Sequence, residues 1–248
     1  MDTRFLRTAA LAFVAPLFTL NGPVAAGTAP SFLIGTHNTL HGRGQFTRFA
    51  SVIGWQEVDS PSARIKMRHQ LGPAYRHYLP AAEPAQSIPI SWRNDLFMLR
   101  SASCVKTHDG RARVSPNRYI SIVRLQHRGT GRQFLFVNTH FISGAFDRKS
   151  SYTEWRRARW YEHLRKLNAV LWSLRRNHPG LPIFLVGDFN RGSYPSFSAQ
   201  RVYPIRSGGA TPIDKIYAGR PGYGGALQRL SRMGSDHSRW RAQVRIAG

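Results

Sequence analysis

Past residue 30 the sequence breaks into short apolar runs separated by turn residues, and only one stretch carries a long helical period. The runs read as strands over Ser31–His37, Ser51–Glu57, Ile88–Arg93, Leu96–Val105, Tyr119–His127, Gln133–Phe141, Pro182–Asp188, Ile213–Tyr217 and Arg239–Ile246. Between Ser151 and Asn177 the apolar positions Trp160, Leu164, Leu167, Leu171 and Leu174 recur on one helix face. Pro179-Gly180 ends that helix, because proline cannot continue it and glycine suits the left-handed cap. A shorter helix is expected over Ser60–Leu71, where Ser60-Pro61 supplies an N-cap and a first-turn proline.

With 42% hydrophobic and 12% aromatic residues the chain has material for a packed core and lacks the composition of a disordered one. No linker-like tract divides its middle, so one domain is expected over residues 27–248, with Gly208-Gly209 and Gly222 to Gly225 at loop tips. Residues 1–26 have the layout of a secretory signal: Arg4 and Arg7, the apolar run Thr8 to Leu20, then small residues up to Ala26. The run is too short for a bilayer-spanning helix and is interrupted by Pro16. Export to a secreted or extracytoplasmic location is the expectation, without stable membrane insertion after cleavage.

The formal net charge is +24, from 36 Lys and Arg against 12 Asp and Glu. Nearly all the cations are arginine, whose planar guanidinium grips phosphate in two places. A polyanion is the first partner that such a charge suggests; solubility alone is the competing explanation. Cys104 is the only cysteine, so no intramolecular disulfide and no cysteine-based metal site can form. A metal here would take oxygen or imidazole ligands.

With so few acids, their positions are informative. Glu57, Asp188, Asp214 and Asp236 all lie in or next to apolar β segments or at their ends, where an unpaired carboxylate is costly to bury. An arginine partner could explain any one of them, but four are harder to explain that way. Pleating puts Phe134, Phe136, Asn138 and His140 on one face, and Phe184, Val186, Asp188 and Asn190 on another. Two adjacent strands of this kind would point Asn, His, Asp and Asn into one pocket.

Gly35-Thr36-His37-Asn38, Trp55-Gln56-Glu57-Val58, Arg118-Tyr119, Asn138-Thr139-His140-Phe141, Val186-Gly187-Asp188-Phe189-Asn190, Ile213-Asp214-Lys215-Ile216-Tyr217 and Ser235-Asp236-His237 together resemble the endonuclease/exonuclease/phosphatase superfamily, in the order found there. The resemblance spans residues 32–246. It implies a four-layer α/β/β/α sandwich of two mixed sheets, as in deoxyribonuclease I, and hydrolysis of a phosphate ester with Mg2+, or with Mn2+ or Ca2+. By the same resemblance Glu57, Asn38 and Asp236 would hold the metal. Asp188 and Asn190 would position the attacking water, and His140 and Arg118, with Asn190, would hold the phosphate. His237, oriented by Asp214, would serve in acid–base exchange.

Departures from the family limit the substrate. The Asp214 segment lacks the Trp-Cys-Asp-Arg pattern of inositol 5-phosphatases, and Ser238-Arg239-Trp240 follows His237 where abasic-site enzymes carry a small residue and proline. Glu83, ahead of the Ile88–Arg93 strand, is a candidate to orient His140 or a plain loop acid. The leading expectation is a monomeric, metal-dependent nuclease acting on DNA or RNA. The alternatives are a phosphatase or phosphodiesterase for a small or lipid phosphate ester, and a non-catalytic nucleic-acid-binding domain.

Overall fold

The computed structural model describes residues 29–146, 151–206, 212–219 and 224–246. The expected signal segment, Gly208-Gly209 and Gly222 lie outside them. Twelve strands form among the described residues: β1 (Ser31–Asn38), β2 (Val52–Gln56), β3 (Tyr75–Tyr78), β4 (Ile90–Arg93), β5 (Phe97–His108), β6 (Arg118–His127), β7 (Gln133–His140), β8 (Ile183–Asp188), β9 (Tyr203–Ile205), β10 (Asp214–Ala218), β11 (Gln228–Leu230) and β12 (Arg239–Arg245). The helices are α1 (Pro61–Leu71) and α2 (Thr153–Asn177). Ser60 caps α1 by accepting from the backbone N–H of Ala63, with Pro61 in the first turn. All nine expected strands are present with small changes at their ends; β3, β9 and β11 are additional.

The strands make two six-stranded sheets, ordered β11-β12-β1-β2-β4-β3 and β5-β6-β7-β8-β10-β9. Each is mixed: β1 pairs parallel with β2 and antiparallel with β12, and β7 parallel with β8 and antiparallel with β6. Alternation decides the layers. Phe32, Ile34, Val52, Phe134, Phe136, Phe184 and Val186 belong to one buried cluster shared by the sheets. The odd-numbered neighbours Leu135, Val137, Ile183 and Leu185 pack with Trp160, Leu167 and Leu171 of α2. On the other flank Ile53 and Trp55 pack with Ala63, Met67 and Leu71 of α1. The result is the α/β/β/α sandwich that the sequence led us to expect.

The inter-sheet core changes character toward one edge. Two residues beyond Ile34, Thr36 shares hydrogen bonds of 3.2 and 3.0 Å with the Gln56 amide. Gln56 donates to Asn138 Oδ1 at 2.7 Å, and Asn138 donates to the carbonyls of Trp55 and Pro89 at 2.8 and 3.1 Å. Gly54 permits this, since a Cβ there would stand 2.4 Å from Val186 and 2.6 Å from Asn138 Oδ1. Asn138 thus corrects the sequence reading. It shares a face with His140 but is spent clamping one sheet to the other, because the opposing strand β2 covers it.

Candidate active site at the strand ends

One further step along each strand brings the chemistry-bearing side chains together. Asn38 ends β1, His140 ends β7 and Asp188 ends β8; Arg118 and Asp214 begin β6 and β10 at the same edge. Glu57 follows β2 in a left-handed conformation, φ 61°, and Asn190 follows β8 at φ 50°. Such backbone is uncommon for side-chain-bearing residues and is held by its surroundings. Gly187 lets β8 pass close to β7: a Cβ there would lie 2.1 Å from the Thr139 carbonyl oxygen.

Asn38 is the hub. Its amide donates to Glu57 Oε1 at 2.9 Å and to Asp188 Oδ2 at 3.1 Å. Asp188 also accepts from the Asn190 backbone N–H at 2.8 Å and from its amide at 3.1 Å. Glu57 Oε2 accepts from the His41 backbone N–H at 3.0 Å. Arg118 Nη1 donates to His140 Nδ1 at 2.9 Å. A guanidinium can only donate, so Nδ1 is the acceptor and the ring proton sits on Nε2. That nitrogen lies 3.5 Å from Asp188 and 3.8 Å from Glu57.

His237 Nδ1 donates to Asp214 Oδ2 at 2.8 Å, and its Nε2 stands 4.0 Å from Asp188 and 3.8 Å from Asp236. Ser235 fastens the loop: its hydroxyl donates to the Asn38 carbonyl at 2.7 Å and accepts from the His237 N–H at 3.1 Å. Asp236 is the exposed member of the expected set and touches His237 and Ser235. Glu83 is exposed and faces Arg64 at 3.9 Å, so the loop-acid reading describes it.

Electrostatics sort these groups. Burial would raise Glu57, but His140, the Asn38 amide and His41 together hold it below the ordinary carboxylate range. Asp188 is likewise held down, burial being outweighed by His140, His237 and the Asn190 N–H. Asp214 is raised by burial and by the nearby Asp188, against the pull of His237. Its Oδ1 has no hydrogen-bond partner among the described residues. His237 is raised, because Asp214, Asp188 and Asp236 outweigh its burial. The cluster therefore offers ionised Glu57 and Asp188 beside a protonated imidazole.

The sequence reading left three contributors unassigned. Gln56 and Ser235 stood in quoted motifs without a role. His163, on α2 between Trp160 and Leu167, is fully buried, with Nε2 2.7 Å from Thr139 Oγ1 and Nδ1 3.2 Å from Thr107 Oγ1. It anchors α2 behind the residue that precedes His140, and its three-residue spacing from Trp160 was the signal available.

The sequence matches no family profile and no curated protein. Solved structures do match. An endonuclease/exonuclease/phosphatase family protein from Bacteroides thetaiotaomicron superposes with a TM-score of 0.69 at 16% identity, covering 88% of this chain and 99% of that one. A mannosyl-6-phosphatase of the same organism gives 0.64 at 16% identity over 85% and 98%. TDP2 from C. elegans gives 0.64 at 14% identity over 90% and 78%. By its two mixed sheets and these superpositions, the chain carries the endonuclease/exonuclease/phosphatase fold.

Proposed function

We propose that this chain is a divalent-metal-dependent phosphoester hydrolase acting on the phosphodiester bonds of DNA or RNA, exported by its first 26 residues. The observation that carries the hydrolase reading is the meeting of Glu57, Asn38, Asp188, His140, Arg118 and the Asp214–His237 pair at one strand-end edge. The formal charge of +24 carries the choice of a polyanionic substrate. Among the neighbours, one is a mannosyl-6-phosphatase, which supports phosphoester chemistry and leaves the substrate to be decided by surface charge.

The donor set fits a hard cation. Glu57 and Asp188 oxygens share the Asn38 amide nitrogen, and the Asp214 Oδ1 acceptor is buried without a partner, so negative charge and oxygen donors are in excess. Glu57 and Asn38 would hold Mg2+, or Mn2+ or Ca2+, with Asp236 on the His237 side of the site, and the ion would supply charge neutralisation at the phosphoryl oxygens. The chain's own residues do the rest. Asp188, ionised and oriented by Asn190, accepts the proton of the attacking water. Arg118 and the His140 Nε2–H hold the phosphate oxygens as charge grows on them. His237, protonated and fixed through Nδ1 by Asp214, delivers its Nε2 proton to the leaving oxygen.

Incubation of the purified protein with Mg2+ and plasmid DNA, single-stranded RNA or bis(p-nitrophenyl) phosphate, with and without excess EDTA, tests this. Cleavage of at least one polynucleotide that EDTA abolishes is expected. Full activity in EDTA contradicts the metal assignment. Hydrolysis of the small ester alone points to the small-molecule phosphatase, and binding without cleavage to the non-catalytic domain.

A further inference from the structure

Building on the nuclease reading, we propose that two arginine-bearing clefts flank the strand-end site and hold backbone phosphates on either side of the scissile one. The substrate then runs through the site and is cut at an internal bond.

The order β5-β6-β7-β8-β10 fixes what lies beside what. At one flank the β5–β6 connection, residues 110–117, lines a cleft of about 560 Å3 with Arg111 and Arg113. At the other flank a cleft of about 340 Å3 opens directly on Asp214 and His237, with Arg229 and Arg232 in its wall. Arg118 begins β6 and Asp214 begins β10, three strand spacings apart, or about 14 Å. His140 and Asp188 stand between them. At about 3.4 Å of rise per nucleotide of one strand, that distance takes several successive phosphates.

The cations at the flanks are available. The guanidinium groups of Arg113 and Arg232 have no hydrogen-bond or ion-pair partner among the described residues. Arg111 rests on the Tyr152 ring, 4.7 Å from its centroid, and Arg229 uses its Nε on Ser238 while lining the cleft. Acids do not cancel them: Asp109 is engaged by Lys106, and Asp236 faces His237. A phosphomonoester would occupy the centre and leave both clefts empty, whereas an internal phosphodiester fills all three places.

The experiment uses the whole protein with Mg2+ on closed circular single-stranded DNA and circular RNA, on the matching linear strands, and on bis(p-nitrophenyl) phosphate. Two paired variants, Arg111→Ser with Arg113→Ser and Arg229→Ser with Arg232→Ser, are compared after their melting temperatures have been checked. Opening of a circle is expected. In each variant the ratio of kcat/KM on the circle to that on the small ester should fall tenfold or more, and the slope of log affinity against log salt should flatten by about 1.5. Trimming of linear strands with circles left intact, or an unchanged ratio in either variant, overturns the proposal while the nuclease reading stands. A wild type inert on every polynucleotide overturns the nuclease reading itself.

Discussion

Two polar layers lie one above the other in the seam between the sheets, a single two-residue strand step apart, and they are built from similar side chains. The inner layer is Thr36, Gln56 and Asn138; the outer one is Asn38, His140 and Asp188, with Glu57, Asp214 and His237 around them. In the inner layer every side-chain polar atom has a partner, so it behaves as a clamp. In the outer layer carboxylates crowd one another, His237 faces three of them, and Asp214 Oδ1 is buried without a partner among the described residues. A satisfied network holds the sheets in place; an unsatisfied one retains capacity for a cation, a water and a phosphate. Residue type does not separate the two. Depth in the seam does.

The widest separation should come from Asp188→Asn. It removes the ionised acceptor from the outer layer and should lower kcat by about 10^3-fold or more, a size typical of losing acid–base and electrostatic assistance. The melting temperature should move by only a few degrees, because a buried charge is removed along with its contacts. Asn138→Leu should do the reverse. It removes one acceptor from the Gln56 amide and the side-chain donor to the Trp55 and Pro89 carbonyls and should cost about 2 kcal/mol in urea unfolding, while the folded fraction keeps most of its specific activity. Loss of activity without loss of stability in Asn138→Leu would move Asn138 back into the site.

A smaller effect comes from histidines that the fold keeps neutral. Burial lowers His163 well below its ordinary value, His37 to about 3 and His77 to about 4. Below about pH 6.5 the unfolded chain takes protons that these folded sites refuse, so the stability that these three sites contribute is full above pH 7 and falls as pH drops through 6.5. Urea midpoints measured from pH 8 to pH 5 should decline on the acid side, and less steeply in His163→Gln. A flat profile would contradict the burial assigned to these rings. Smallest of all, Glu83→Ala should change activity less than twofold and stability by less than about 0.5 kcal/mol, as expected of an exposed acid outside both layers.

The sequence was legible where an element has two buried faces or a strict period. The central strands and α2 announce themselves through Phe134/Phe136, Phe184/Val186 and the Trp160–Leu174 stripe. The strands that went unread, β3, β9 and β11, all sit at sheet edges. Edge strands pair on one side only and need little hydrophobic alternation, and β9 even carries Pro204. The candidate site residues were readable because an acid at the end of an apolar run is costly without a purpose. The division between clamp and site was not readable: alternation shows that Asn138 and His140 share a face but not that β2 lies over one of them. His163 escaped because a histidine inside a leucine stripe looks polar until Thr107 and Thr139 are seen on either side of it.

The outer layer works as one chemical unit, and the Asp214–His237 pair exposes that directly. Measuring kcat/KM and melting temperature on His237→Ala, Asp214→Asn and the double variant closes a thermodynamic cycle. His237→Ala should remove most activity, Asp214→Asn a large part, and the double variant should be little worse than His237→Ala alone, with melting temperatures changed modestly throughout. Additive losses, or an Asp214→Asn protein that melts lower yet keeps full specific activity, would make Asp214 a support of the fold and contradict the unit.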